Sequence, residues 1–137
     1  MTRPRFLLDT TICICIRRQR PPEVLARFRS LHPGKAANSV IAYGELHYGA
    51  ERSAQRERAL DLLQQLVAIL PVLSMPQQAS MTYGAVRADL ERRGKVIGNN
   101  DLWIAAHALA GDLILATNKR RAFARIHGLQ LANWVDG

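Results

Sequence analysis

Short apolar segments of strand length alternate along the chain with longer segments of helical periodicity. This alternation is typical of a mostly parallel sheet whose connecting helices cover both faces. We therefore predict an α/β fold with a central sheet of four to five short strands, and a length of 137 residues fits one domain over 1–137. The predicted strands are 5–8, 36–39, 70–73, 113–116 and 129–131.

The predicted helices occupy most of the remaining chain. They run over 10–16, 21–31, 40–50, 54–70, 76–93 and 102–110. The last of these follows Asn99, Asn100 and Asp101, three residues of the types that cap helix N-termini, so we expect Asp101 to cap it.

The charge of the chain constrains its partners. The formal net charge of +8 favours a polyanion, either a nucleic acid or an acidic protein. The apolar runs are too short to span a bilayer, and Asp9 interrupts the first one too early for a signal peptide, so we expect a cytoplasmic protein with no membrane partner. Cys13 and Cys15 have apolar neighbours and form no zinc spacing with the histidines, which indicates core packing.

An aspartate lies between two apolar runs in the segment FLLDTTICICI, residues 6–16. A charged side chain in apolar surroundings is costly unless it is paired or binds a metal. Because Asp9 directly follows a predicted strand, it lies at the carboxyl edge of the sheet, where the active sites of such folds are found. Asp9 is therefore the first candidate for a functional residue.

Three further polar residues are expected near Asp9. Asn118 follows the predicted strand 113–116, Glu45 lies in the helix after the second strand, and Asp101 precedes the helix that leads into strand 113–116. Three carboxylates brought together repel each other unless a cation neutralises them. Oxygen ligands alone favour a hard ion, Mg²⁺ or Mn²⁺, and a carboxylate-bound Mg²⁺ beside a basic surface is suited to phosphodiester hydrolysis.

Each candidate also has a purely structural explanation. Asp101 alone is more typical of a helix cap, Glu45 of a solvated helix residue, and Asn118 of a turn. The arginines at 17, 18, 20, 120, 121 and 125 are by default solvated. The residues alone therefore leave a metal site plausible and unproven.

Six segments, taken in order, resemble the VapC toxins, the PIN-domain endoribonucleases of bacterial VapBC toxin–antitoxin modules. They are FLLDTTICICI, SVIAYGELHYGAERS, VRADLERRGKVIG, NNDLWIAAHALA, LATN and FARIHGLQLANW. The resemblance spans nearly the whole chain and implies a PIN-like fold with a Mg²⁺-dependent ribonuclease activity on RNA, often tRNA. It also implies inhibition by a VapB antitoxin, a homodimer, a toxin–antitoxin hetero-oligomer, and operator DNA binding through the antitoxin.

The resemblance assigns roles to individual positions. It implies metal ligands at Asp9, Asp101 and Glu45, and a catalytic pocket shaped by Thr117 and Asn118. A metal-activated water would then attack in line and leave 5′-phosphate and 3′-hydroxyl ends. The antitoxin helix would dock on apolar surface between the helices of 21–31 and 41–70, and an acidic antitoxin segment would compete with RNA for one basic groove.

The chain departs from the family pattern around this site. Thr11 stands where asparagine is common, Asn99 replaces a proline, and Ala122 replaces an acidic residue. Lys119 replaces an asparagine or aspartate, so it is either a contact to the scissile phosphate or a surface cation. Thr11, Thr117 and Lys119 are accordingly candidate substrate residues. The alternatives are a weakened PIN domain that binds antitoxin or RNA without cutting, and a nuclease of this fold directed at DNA.

Overall fold

The computed structural model describes residues 3–135 and contains one five-stranded sheet. Its strands are β1 (Phe6–Leu8), β2 (Ala36–Ser39), β3 (Val72–Leu73), β4 (Ile114–Ala116) and β5 (Leu131–Ala132). Its helices are α1 (Thr10–Arg18), α2 (Pro22–Arg29), α3 (Val40–Glu51), α4 (Arg56–Ile69), α5 (Gln78–Arg92), α6 (Asn99–Ala110) and α7 (Arg120–Phe123). The α/β prediction is confirmed.

The strands lie in the order β3-β2-β1-β4-β5, and every pairing is parallel. The chain moves outward from β1 through β2 to β3, and then crosses to the other side of β1 to form β4 and β5. The order in which the strands are added to the sheet therefore reverses between β1 and β4. In open α/β sheets, ligands bind in the crevice at such a point. Residues that follow β1 and β4 are placed at this crevice.

Alternating side chains of the strands divide the core into two layers. Phe6 and Leu8 of β1 pack with α1, α2, α3 and α4, whereas Leu7 packs with α5, α6 and α7. Leu7, Leu8 and Leu115 are fully buried, as expected for a sheet covered on both faces. Cys13 lies in the first layer, and both cysteines are free.

The structure corrects several predicted boundaries. The last strand forms at 131–132 instead of 129–131, and the basic segment after Asn118 contains the short helix α7, which was not predicted. Helix α6 begins at Asn99, with Gly98 as its N-cap residue and no side-chain cap. The prediction that Asp101 caps this helix is therefore wrong, because Asp101 already lies within its first turn.

No helix within residues 3–135 is both long and apolar enough to cross a membrane. The longest helix, α5, has 15 residues and carries several charged side chains.

We predict that Leu115→Ala lowers the free energy of unfolding by about 2–5 kcal/mol, because it leaves a cavity in the centre of the sheet. Urea titration followed by circular dichroism measures this change. Met81→Ala is the matched control, because Met81 is 75% exposed and its loss is expected to change stability by less than about 0.5 kcal/mol. Equal effects of the two substitutions would contradict the described core.

Candidate active site

Asp9 joins the first strand to the first helix. Its backbone N–H donates to Ala116 O at 3.1 Å, which extends the pairing of β1 with β4. Its side chain is the N-cap of α1, since Oδ1 accepts from Ile12 N at 2.9 Å. The residue is only 1% exposed. A buried carboxylate is thus held at the crevice by the start of the helix that it caps.

Two threonines complete the hydrogen bonds of the Asp9 carboxylate. Thr117, directly after β4, donates from Oγ1 to Asp9 Oδ2 at 2.5 Å. Thr11 donates from Oγ1 to Asp9 Oδ1 at 2.7 Å. Both carboxylate oxygens are therefore bonded, and the contact from Thr117 links β4 to β1.

Burial and hydrogen bonding act in opposite directions on Asp9. Burial raises the pKa of the Asp9 carboxyl above its ordinary value. The hydrogen bonds from Thr117, Ile12 and Thr11 and the charge of Lys119 oppose this shift without cancelling it. The raised pKa means that the ionised carboxylate is destabilised, and a cation close by would favour it.

Asn118 is the next residue after Thr117 and lies at the exposed side of the crevice. Its Oδ1 is 2.9 Å from Thr11 Oγ1. A hydroxyl has one proton to donate, so Asp9 Oδ1 and Asn118 Oδ1 share the single donor of Thr11. Thr11, Asn118 and Asp9 form one connected group.

Glu45 approaches the crevice from the second turn of α3. Its Oε1 accepts from Thr10 Oγ1 at 2.5 Å. Thr10 is the first residue of α1 and follows Asp9 directly, so this bond places Glu45 against the start of α1. Sequence reasoning missed Thr10; its position directly after Asp9, with a hydroxyl able to donate, was the available signal.

Asp101 forms an ion pair within the site. Lys119 Nζ is 3.1 Å from Asp101 Oδ2, and the two side chains are 43% and 19% exposed. The backbone N–H of Lys119 donates to Thr117 Oγ1 at 2.9 Å. Lys119 is thus fixed to the threonine that bonds Asp9, while its ammonium group contacts Asp101.

An open cavity of about 350 Å³ connects the outer residues of the site. Glu45, Asp101 and Lys119 line it together with the segment 98–100. The structure thus brings the seven predicted site residues to the carboxyl ends of β1 and β4. They are Asp9, Thr11, Glu45, Asp101, Thr117, Asn118 and Lys119.

The donor chemistry of this site fits a hard divalent cation, because it consists of carboxylate, hydroxyl and amide oxygens. Within residues 3–135, however, no three acidic, histidine or cysteine side chains are already arranged to hold a metal ion. The ammonium group of Lys119 lies against Asp101 instead. A metal bound by these carboxylates would therefore compete with Lys119 for Asp101.

Comparison with known proteins identifies the family of this chain. Residues 6–129 match the family model of the PIN domain. Ribonuclease VapC2 of Haemophilus influenzae is 39% identical over 131 residues, 96% of this chain and 98% of the relative. The tRNA(fMet)-specific endonuclease VapC of Shigella flexneri is 39% identical over 95% of this chain and 98% of the relative.

Solved structures show the same likeness. The crystal structure of DNA-bound VapBC from Salmonella typhimurium contains a chain that superimposes with a TM-score of 0.90 at 37% identity, covering 96% of this chain and 98% of that chain. The chain therefore belongs to the PIN-domain family and, within that family, to the VapC ribonucleases.

Proposed function

We propose that this chain is the toxin of a VapBC-type toxin–antitoxin module and acts as a Mg²⁺-dependent endoribonuclease in the cytoplasm. The observation that carries the proposal is the buried Asp9 carboxylate at the crevice between β1 and β4, connected through Thr117 and Lys119 to Asp101. A buried carboxylate with a raised pKa beside further acids is typical of a functional site. Mn²⁺ is the alternative metal, since it prefers the same oxygen donors.

Asp9, Asp101 and Glu45 would hold the metal. When bound, it would supply charge stabilisation at the phosphate oxygens and acidify a water molecule. The chain's own contribution is orientation: Thr117 and Thr11 fix both oxygens of Asp9, and Thr10 fixes Glu45. Because these side chains are already oriented, they need little rearrangement when the transition state forms.

The remaining residues are suited to substrate contact. Asn118 is exposed beside Thr11, and Lys119 carries a flexible cation into the cavity. On release from Asp101, its ammonium group could bind a phosphate oxygen of the RNA backbone. The net charge of +8 favours RNA in general, and the name of the Shigella flexneri relative makes tRNA, or another structured RNA, the first substrate to test.

The first prediction concerns Asp9→Asn. Purified wild-type protein is expected to cleave total RNA with Mg²⁺ and not with EDTA, and Asp9→Asn is expected to lower the rate at least about a hundredfold. Gel electrophoresis of the RNA measures both effects. Absence of Mg²⁺-dependent cleavage by wild type would favour the non-cutting alternative, and cleavage that survives EDTA and Asp9→Asn would overturn the metal mechanism.

Thermal unfolding is the control for this variant. The folded pKa of Asp9 is raised above the value in the unfolded chain, so ionisation of Asp9 at neutral pH works against folding. An asparagine keeps one acceptor oxygen for Ile12 and Thr11, but its NH₂ group cannot accept the proton of Thr117, and this loss offsets the gain. Asp9→Asn should therefore melt close to the wild-type temperature in metal-free buffer, and added Mg²⁺ should stabilise the wild type alone.

The second prediction concerns Lys119→Met, which removes the cation that contacts Asp101. We expect the affinity for Mg²⁺ or Mn²⁺ to rise, by up to about fivefold, because a partly exposed ion pair contributes at most about 1 kcal/mol. Isothermal titration calorimetry measures the affinity directly. Arg120→Met removes a neighbouring exposed charge and should have a smaller effect, so equal changes in both variants would show that only general electrostatics is involved.

We propose that an antitoxin helix docks on the apolar cavity of about 560 Å³ between α2 and the end of α4. This position agrees with the surface expected from the sequence. Leu25 and Phe28 of α2 and Ile69 of α4 line the cavity, and Ile69 is 56% exposed. An amphipathic helix in an apolar groove is a common mode of such binding. Operator DNA, as in the DNA-bound VapBC of Salmonella typhimurium, would be bound through the antitoxin, by a complex built on a toxin homodimer.

The third prediction is that Ile69→Asp weakens binding of a VapB-type antitoxin at least about tenfold, because docking would bury an unpaired carboxylate. RNA cleavage by the free variant should be unchanged. Size-exclusion chromatography of the co-expressed pair and calorimetry measure the complex. Met81→Asp, at a position 75% exposed outside this cavity, is the control, and wild-type affinity of Ile69→Asp would exclude this docking surface.

A further inference from the structure

A second cavity, of about 390 Å³, lies where the ends of α1 and α3 meet the beginning of α4. Three arginines line it: Arg17 and Arg18 from the last turn of α1, and Arg58 from the first turn of α4. The remaining lining residues are Gly49, Ala50, Ser53, Gln55, Ala59 and Leu62. The cavity therefore combines three guanidinium groups with small and neutral side chains.

The three arginines of this cavity form no ion pair within residues 3–135, since none of the ion pairs found there includes Arg17, Arg18 or Arg58. The neighbouring Arg56, in contrast, pairs with Glu51 at 2.6 Å and Glu57 at 2.8 Å, and it does not line the cavity. Last-turn arginines commonly offset the helix dipole, but that role does not explain Arg58, which lies at the start of its helix.

Two helices, α1 and α3, contribute residues both to the arginine cavity and to the candidate active site. Arg17 follows Thr10 by seven residues on α1, and Gly49 follows Glu45 by four residues on α3, so each pair shares one helix face. Thr10 and Glu45 are bonded to each other at the crevice. Seven residues of helix correspond to about 10 Å. The Cα atom of Arg17 thus lies about 10 Å from that of Thr10, along the axis of α1.

We propose that this arginine cavity binds backbone phosphates of the RNA strand next to the cleaved bond. The proposal rests on the proposed nuclease function, because an RNA strand bound at Glu45 would lie beside the same two helices, α1 and α3, that line the arginine cavity. Guanidinium groups bind phosphate through two parallel hydrogen bonds and remain charged at any physiological pH. The cavity is open at Gly49, since a Cβ added there would meet no atom within 4 Å.

The test is the double variant Arg18→Gln/Arg58→Gln, which removes two charges and retains most of each side chain. Filter binding of unfractionated tRNA at several salt concentrations, without Mg²⁺ so that no cleavage occurs, gives the salt dependence of the affinity. We expect the slope of log affinity against log salt concentration to decrease in magnitude by roughly 1.5. This is about 0.7–0.9 for each phosphate that the variant no longer neutralises. With Mg²⁺, KM for tRNA should rise while kcat stays near the wild-type value.

The matched control is Arg3→Gln/Arg92→Gln, which removes two exposed arginines outside the cavity, one before β1 and one on α5. An equal fall in slope for both double variants would overturn the proposal, because it would reflect net charge alone. An unchanged slope in Arg18→Gln/Arg58→Gln would also overturn it. So would loss of antitoxin binding with unchanged tRNA binding, since the cavity would then serve an acidic protein segment.

A variant that keeps both charges distinguishes a loss of charge from a loss of structure. Arg18→Lys/Arg58→Lys retains both charges and is expected to restore the slope, and circular dichroism melting shows whether each variant folds. If the glutamine pair does not fold, the single variants Arg18→Gln and Arg58→Gln provide the same comparison, with half the change in slope. Since the binding assay needs no catalysis, wild-type protein that binds tRNA through this cavity without cutting it would refute the nuclease function and not this site.

Discussion

The Asp9 carboxylate is the interaction on which the geometry of the site depends. It accepts a backbone N–H from the first turn of α1 and hydroxyl protons from Thr11 and Thr117. These bonds connect β1, α1 and β4 at the point where the strand order reverses. Burial disfavours the charge more than the three donors favour it, so the pKa of Asp9 stays above its ordinary value. A residue that orders three elements and still carries a destabilised charge is suited to bind a cation.

Lys119 and a divalent metal would have overlapping roles at Asp101. The ammonium group at 3.1 Å neutralises one carboxylate of the cluster, and it does so on a flexible side chain that can leave. Lys119 is also bonded through its backbone to Thr117, which bonds Asp9. Exchange of the lysine for a metal would therefore replace one positive charge near Asp9 with another, while the backbone bond from Lys119 to Thr117 stays in place. Under the proposed function, a lysine displaced from Asp101 would be available to an incoming phosphate, so one side chain would serve first for neutralisation and then for substrate contact.

The sequence predicted the parts of this structure that local patterns determine. Alternating apolar segments indicated the parallel sheet, and an aspartate directly after a strand indicated the crevice. The predicted cap at Asp101 was wrong because three consecutive residues, Asn99, Asn100 and Asp101, all have side chains that can cap a helix. The helix starts one residue after Gly98 instead, and its starting point depends on the packing of the whole helix. Thr10 was missed because its partner, Glu45, is 35 residues away. Such a contact follows from the packing of α1 against α3, which no local pattern contains.

Thr11 stands at a position where the resemblance to the VapC toxins implies asparagine, and its hydroxyl contacts the Asp9 carboxylate. An asparagine has a donor and an acceptor on two different atoms, whereas one hydroxyl oxygen provides both functions at a single atom. Thr11 Oγ1 lies 2.7 Å from Asp9 Oδ1 and 2.9 Å from Asn118 Oδ1, so its one proton serves two acceptors. Asp9 is buried, whereas Asn118 is exposed. The threonine at position 11 therefore connects the buried carboxylate to an exposed amide at the same edge of the sheet.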